Sequence, residues 1–259
     1  MSDAIRPVLT GHKTLVVGIA NQHSIAYGCA KAFRIAGAEL AITWLNDKAQ
    51  PYVEPLTAEL EASITVPLDV AVPGQLEAVF DAIRAKWGKL DSLVHSIAFA
   101  PKEDLQGGLL DCSAEGFAKA MDVSCHSFVR MAKLAAPLMT DGGTMFAMSY
   151  YGANRVVPNY NVMGPVKAAL EAACRYLAFE LGTAGIRVHA ISPGPLQTRA
   201  ASGIKDFDLM LNNAVQRAPL GERVDIMDVG FACAYLATDF ARRITGGTIY
   251  VDGGANVVA

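Results

Sequence analysis

Short runs rich in Val, Ile and Leu alternate along the chain with longer stretches in which apolar residues recur every three or four positions. Lys13–Gly18, Ala38–Thr43, Ile64–Leu68, Asp91–Ser96, Thr144–Ser149, Ile186–Ser192 and Thr248–Asp252 read as strands. Several are apolar at consecutive positions, the pattern of parallel strands covered on both faces. The intervening stretches have helical period. Ile25, Cys29, Ala32, Phe33 and Ala36 share one face, as do Leu76, Val79, Phe80, Ile83 and Trp87, with Glu77, Asp81 and Arg84 opposite them. Gly37 and Gly88 stand where helices should stop. Strand–helix alternation over 1–259, without linker, repeat or low-complexity segment, predicts one doubly wound α/β domain. Its seven-stranded parallel sheet would carry helices on both faces and right-handed crossovers.

Composition narrows the class. With 259 residues, 52% hydrophobic and 18% charged, the chain has too much apolar and too little charged content for disorder. A net charge of -3 gives no electrostatic case for nucleic acid or an anionic membrane as partner. No apolar run approaches the roughly 18 residues that span a bilayer. Met1–Pro7 lacks the basic-then-apolar order of a secretory leader. The five cysteines are scattered and odd in number, the usage expected of reduced thiols in the cytoplasm. His12, His23, His95, His126 and His189 show no ligand spacing, so no metal is expected.

The first strand-to-helix junction reads Gly18-Ile-Ala-Asn-Gln-His-Ser24-Ile-Ala-Tyr-Gly28. A glycine there allows a tight turn, and the N–H groups of the following helix attract a pyrophosphate, as in Rossmann-like folds. Ser24 suits the N-cap, its hydroxyl serving either the backbone or a phosphate. The spacing is not Gly-x-Gly-x-x-Gly, so an ordinary turn accounts for it equally well until its place in the first βαβ unit is considered. Ligands of such sheets bind beyond the carboxyl ends of the strands, where Asp69 follows the third strand and Ile97 the fourth. Asp69 is suited to an adenine amino group or to a helix cap, Ile97 to a ribose or to the core. After the second strand comes Thr43-Trp-Leu-Asn-Asp-Lys48, with neither a carboxylate nor a basic residue directly in place. Leu45 would close the pocket and Lys48 lies far along, which favours NADH over NADPH.

Ser149-Tyr150-Tyr151-Gly152 follows the fifth strand, and Tyr160-Asn-Val-Met-Gly-Pro-Val-Lys167 opens the next helical stretch. Seven helical residues turn through about 700°, which would set Tyr160 and Lys167 on one face, two turns apart. An ammonium beside a phenol lowers its pKa and makes it a better proton donor. Pro165 is tolerated in a helix only near its start, so the helix is expected to begin near Pro158–Asn161.

In these motifs the chain resembles the divergent branch of the short-chain dehydrogenase/reductase superfamily formed by bacterial NADH-dependent enoyl-[acyl-carrier-protein] reductases. The resemblance runs from about Leu9 to Val257. It is carried by Gly18-x5-Ser24-x3-Gly28, Leu68-Asp-Val70, His95-Ser-Ile-Ala-Phe-Ala-Pro101, Ser149-Tyr150, Pro158-Asn-Tyr-Asn-Val-Met-Gly164 with Lys167, Arg187-Val-His-Ala-Ile-Ser192, Ala200–Asp206 and Val251-Asp-Gly-Gly254. The wider superfamily has Tyr-x3-Lys; here Gly164 is four residues after Tyr160 and the lysine comes at seven. The resemblance implies reduction of a trans-2-enoyl thioester of fatty-acid synthesis, carried by acyl carrier protein. Tyr160 would bond the thioester oxygen, Lys167 would hold the cofactor ribose, and Tyr150 would be the second active-site tyrosine. Gly18, Ser24, Ile25, Leu45, Asp69, Val70, Ile97, Lys167, Leu196, Gln197, Thr198, Arg199 and Ala200 match cofactor positions, and Ala100, with Tyr150 and Tyr160, the acyl substrate. It also implies a homotetramer, for which the apolar face of Ser113–Met139 and the Gly247–Val258 tail would serve, unless both are core.

The chain departs from the family at Leu45 (commonly glutamine), Ala98 (frequently glycine), Tyr151 (usually apolar) and Pro165, none of which removes a reacting group. A carbonyl or alcohol dehydrogenase of the same superfamily is the alternative, disfavoured by the absent Tyr-x3-Lys. A non-catalytic dinucleotide sensor should have lost Tyr160 or Lys167. In Arg199–Leu211, Ala200, Ala201, Ile204, Phe207 and Met210 would make one apolar face, expected to be a lid that orders over an acyl chain or else a short helix packed on the core.

Overall fold

Each apolar run becomes a strand and each periodic stretch a helix. The structure is a computed structural model and describes residues 8–198 and 207–258. In chain order the elements are β1 (Lys13–Val17), α1 (Ile25–Ile35), β2 (Glu39–Trp44), α2 (Gln50–Glu59), β3 (Ile64–Pro67) and α3 (Gln75–Trp87). There follow β4 (Ser92–His95), α4 (Lys102–Gln106), α5 (Ala114–Met121), α6 (Ser127–Ala135), β5 (Gly143–Met148) and α7 (Met163–Leu181). The chain closes with β6 (Ile186–Pro193), α8 (Phe207–Arg217), α9 (Ile226–Ala237) and β7 (Thr248–Val251).

The seven strands form one sheet in the order β3-β2-β1-β4-β5-β6-β7, every pair parallel. Strand order reverses between β1 and β4, and a crevice opens there at the carboxyl ends. Because side chains alternate across a strand, one sheet feeds two cores. Leu15, Val17, Leu93, Met145, Ala147 and Val188 pack with α3, α6 and α7. Val16, Leu40, Ile42, Val94, Phe146 and Ile191 pack with α1, α2 and α9 on the other face.

Gly88, at φ 69, ends α3 as expected, and Gly37, at φ 97, follows the end of α1. Helices α1 and α9 cross backbone to backbone. A Cβ on Gly28 would lie 2.6 Å from the Ile226 carbonyl carbon, and one on Gly230 would lie 2.7 Å from that of Gly28. This contact fixes α1, whose N-terminus faces the crevice.

The Ser113–Met139 stretch, read as one helix, is divided into α5 and α6 by a π-turn over Asp122–His126. Ala120, Phe128, Met131, Ala132 and Ala135 are core, whereas Phe117 is 40% exposed and Val129 and Leu134 are half-buried, so the core covers only part of that face. Most of the expected lid, 199–206, lies outside the described residues. The remainder, Phe207–Leu211, begins α8, with Leu211 buried.

Candidate active site

The turn after β1 is tight because Gly18, at φ 110, passes against the end of β4. A Cβ there would be 2.8 Å from the Ser96 carbonyl carbon and 2.9 Å from the Ile97 side chain. Ser24 has the backbone of an N-cap, but its hydroxyl does not cap α1. Instead Oγ accepts from the Ala20 and Asn21 N–H groups, at 3.0 and 3.1 Å, and draws the loop closed. The backbone use expected for that hydroxyl is present in the loop. The first-turn amides of Ile25 and Ala26 are intrinsically without helical partners, the kind of donors a pyrophosphate takes.

Asp69 is half-buried and its Oδ1 accepts from the Ala71 N–H at 2.9 Å, an Asx-turn and not a helix cap. The neighbouring Val70 is buried, and its carbonyl accepts from Arg130 Nη1 at 2.9 Å. Ile97 and Ala100 are half-buried against the same core that Tyr150 and Tyr160 join. Leu45 is 54% exposed just past β2, free to lie along an adenosine. Leu196 is half-buried, Gln197 exposed and Thr198 half-buried in the loop past β6. Arg199 and Ala200 lie outside the described residues.

Tyr150 and Tyr160 meet edge to face, with ring centroids 4.9 Å apart and planes at 64°. Tyr160 does not stand on the helix with Lys167. The helix begins at Met163, and Tyr160 sits in the preceding turn between Asn159 and Asn161, at φ 65 and 44. Asparagine tolerates this left-handed conformation better than most residues, which explains the pair flanking the tyrosine. Asn161 also donates to the Leu105 carbonyl at 2.7 Å. The later start corrects the expected helix boundary for a reason the expectation contained: Pro165 must fall in the first turn, and a start at Met163 makes it the third residue.

Lys167 is buried, 5% exposed, and its Nζ donates to the Met148 carbonyl at 2.6 Å. Burial lowers its pKa to about 8, opposed by Cys125, Cys174 and Glu171. The expected acidification of the phenol is corrected as well. Burial pushes the Tyr160 pKa up, with Tyr150 and Glu171 adding to the rise. Burial also brings Tyr150 to about 12, helped by Tyr151 and opposed by Arg217. Desolvation is the largest cause at both rings, so both phenols are held protonated and can donate.

Several supporting residues carry no local sequence signal. A Cβ on Gly152 would lie 2.5 Å from the Tyr160 ring, so only glycine lets the ring settle there. Ser124, in the π-turn, accepts from the Phe99 N–H and donates to its carbonyl, at 2.9 and 3.1 Å, clamping the loop after β4. Ser127 donates to the Val123 carbonyl at 2.7 Å and therefore accepts from Nε2 of His95, 2.7 Å away. Burial, with Lys167 second, lowers the His95 pKa to about 3, so this imidazole is neutral. Arg217 of α8 donates to the Tyr151 hydroxyl at 3.3 Å, lies 5.7 Å over its ring, and donates to the Val258 carbonyl at 2.6 Å. The Asn159 and Asn161 pair, by contrast, was readable from residue type alone.

These residues fit a dinucleotide. The turn at Gly18 brings backbone amides to the crevice, and a buried ammonium with one acceptor among the described residues keeps donors for ribose hydroxyls. Among the described residues no group of His, Cys, Asp and Glu could hold a metal.

Residues 18–256 match the family described as enoyl-(acyl carrier protein) reductase. The chain is 46% identical over 252 residues to enoyl-[acyl-carrier-protein] reductase [NADH] 2 of Rhizobium meliloti, covering 97% of this chain and 94% of that one. A crystal structure of the reductase from Anaplasma phagocytophilum in complex with NAD superposes with a TM-score of 0.93 at 44% identity, covering 97% and 96%. One from Bacillus cereus, with NADP+ and an indole naphthyridinone, superposes with a TM-score of 0.95 at 40% identity, covering 97% and 99%.

Proposed function

The chain belongs to the enoyl-(acyl carrier protein) reductase family, and we propose that Tyr160, Tyr150 and Lys167 carry its reaction. The protein is an NADH-dependent oxidoreductase of fatty-acid synthesis that reduces trans-2-enoyl thioesters on acyl carrier protein to saturated acyl thioesters. NADH, when bound, supplies the hydride received by the β-carbon of the thioester. Charge then develops on the thioester oxygen, and a neutral Tyr160 phenol in a dry site is placed to donate to it. Tyr150 packs on Tyr160 and limits where the acyl group can lie, with Ala100 on the same wall. Lys167 holds the ribose hydroxyls and adds positive potential from below. Gly18, Ser24, Ile25, Asp69, Val70, Ile97, Leu196, Gln197 and Thr198 line the cofactor, with Leu45 beside the adenosine; Arg199 and Ala200 are assigned to the cofactor by the sequence resemblance alone.

The edge-to-face contact of Tyr150 with Tyr160, with a buried Lys167 tied to the end of β5, is the observation that carries this assignment. The fall in NADH absorbance with crotonyl thioester, set against a panel of ketones, tests it. Turnover of ketones but not of the enoyl thioester would overturn it.

The homotetramer is proposed on exposed apolar surface: Tyr176 and Phe179 of α7 are 72% and 85% exposed. Such side chains are best covered by another copy. Light scattering giving a monomer mass would refute that assembly. Among the described residues no helix is long and apolar enough to cross a membrane; a cytoplasmic location is proposed on the scattered, unpaired cysteines.

A further inference from the structure

Glu171 stands one helical turn after Lys167 on α7 and is only 4% exposed. The i, i+4 spacing suggests an ion pair between them, yet none forms. Lys167 turns to the Met148 carbonyl, and the carboxylate turns to two other donors. Oε1 accepts from the Ser149 hydroxyl at 2.6 Å, and Oε2 from Nδ2 of Asn154 at 3.1 Å. The same Asn154 amide donates to the Tyr250 hydroxyl at 3.1 Å. A buried carboxylate with no cation in direct contact is costly, and an apolar side chain of similar volume often serves stability as well. Its contribution therefore has to be sought in what it joins.

Ser149 and Asn154 lie immediately before and after Tyr150–Ala153. Tyr150 in that segment is extended, at φ -156 and ψ 150, and Tyr151–Ala153 form a tight 3-10 turn. Gly152 of the turn is pressed against the Tyr160 ring. One carboxylate thus grips both ends of the segment that carries one active-site tyrosine and bears on the other.

We propose that Glu171 is a positioning residue of the reaction: its two oxygens fix Ser149 and Asn154, and so set where Tyr150 stands against Tyr160. The inference rests on the reading that Tyr150 belongs to the reacting site.

Glu171→Leu tests it in the full-length protein. Misplacement of a reacting group by a fraction of an ångström to an ångström is costly, so kcat on crotonyl thioester should fall about tenfold or more, with KM for NADH within about twofold. Glu171→Gln should recover most of that loss, because its amide can accept from Asn154 and donate to Ser149. In a Tyr150→Phe background, Glu171→Leu should cost less than about twofold further, since the two act through one group. An equal loss in both backgrounds, or an undiminished kcat in Glu171→Leu, would overturn the inference. A Tyr150→Phe enzyme with unchanged turnover would instead sink the reading beneath it, and the inference with it. If Glu171→Leu does not fold, Asn154→Ala releases one end from the exposed side. It should lower kcat, leave KM for NADH unchanged, and be non-additive with Tyr150→Phe; unchanged or additive kinetics count against the proposal.

Discussion

The Lys167 ammonium donates to the Met148 carbonyl oxygen at 2.6 Å, tying α7 to the end of β5. Its partner is main chain, so the ammonium is held by the sheet itself and not by another mobile side chain. The cost of burying it appears in its pKa, lowered to about 8 chiefly by desolvation.

A pH dependence follows, with two opposite signs. The folded pKa of Lys167 lies below its ordinary value of 10.5, so between about 8 and 10.5 the unfolded chain binds more protons. This group therefore makes the free protein more stable as pH rises through that window, and its burial as a cation is a standing cost below it. NADH binding should move the other way, weakening as the charge is lost above about pH 8. Fluorescence titration of NADH across the window, with Lys167→Met alongside, checks this. A wild-type affinity that is flat with pH, or a mutant that still shows the transition, would rule it out.

Tyr160→Phe should lower turnover on the order of 100-fold while leaving the NADH dissociation constant nearly unchanged, because the phenol acts on the substrate oxygen. Lys167→Ala should weaken NADH binding as well. Steady-state kinetics and direct cofactor titration of both variants separate the roles. If neither changes turnover, the assignment is wrong.

NADH should be used at least about tenfold more efficiently than NADPH, about 1.4 kcal/mol. Directly past β2 stand Leu45 and Asn46, with no basic side chain to meet a 2′-phosphate, and Lys48 is further along and exposed. The Bacillus cereus relative was crystallised with NADP+, so the fold does not decide the matter and these side chains must. Equal kcat/KM for the two cofactors would refute the expectation.

Gly28→Ala should destabilise the protein and loosen its cofactor. The added carbon meets the Ile226 backbone, which cannot step aside as a side chain could. Overpacking of this kind costs about 1–3 kcal/mol, or several degrees in Tm for a chain of this size. The displaced helix is the one that presents amides to the pyrophosphate, so NADH affinity should fall too. An unaltered melting curve would show that α1 and α9 can separate freely.

What the amino-acid sequence determines by itself is everything with a local period or a local chemical preference. Consecutive apolar runs marked the strands β1 to β7, and three-to-four spacing marked α1 and α3, because burial on a sheet or helix face repeats over neighbouring residues. Gly37 and Gly88 marked helix ends, because glycine reports its own backbone preference. The tertiary structure decided the rest. Helical spacing put Tyr160 and Lys167 on one helix, but α7 begins only at Met163 and the tyrosine reaches the site from a turn. An ammonium near a phenol promised a lowered pKa, but burial, which no short stretch of sequence reveals, reversed the sign at Tyr160. Ser24 had the residue type of a cap, and the loop upstream claimed its hydroxyl. Glu171 had Lys167 at the spacing of an ion pair, yet its partners are Ser149 and Asn154, on the segment beyond β5. Gly28 met Gly230 across some two hundred residues of chain. Partners this distant are chosen by how the whole chain closes around its two cores, and local pattern carries no record of that choice.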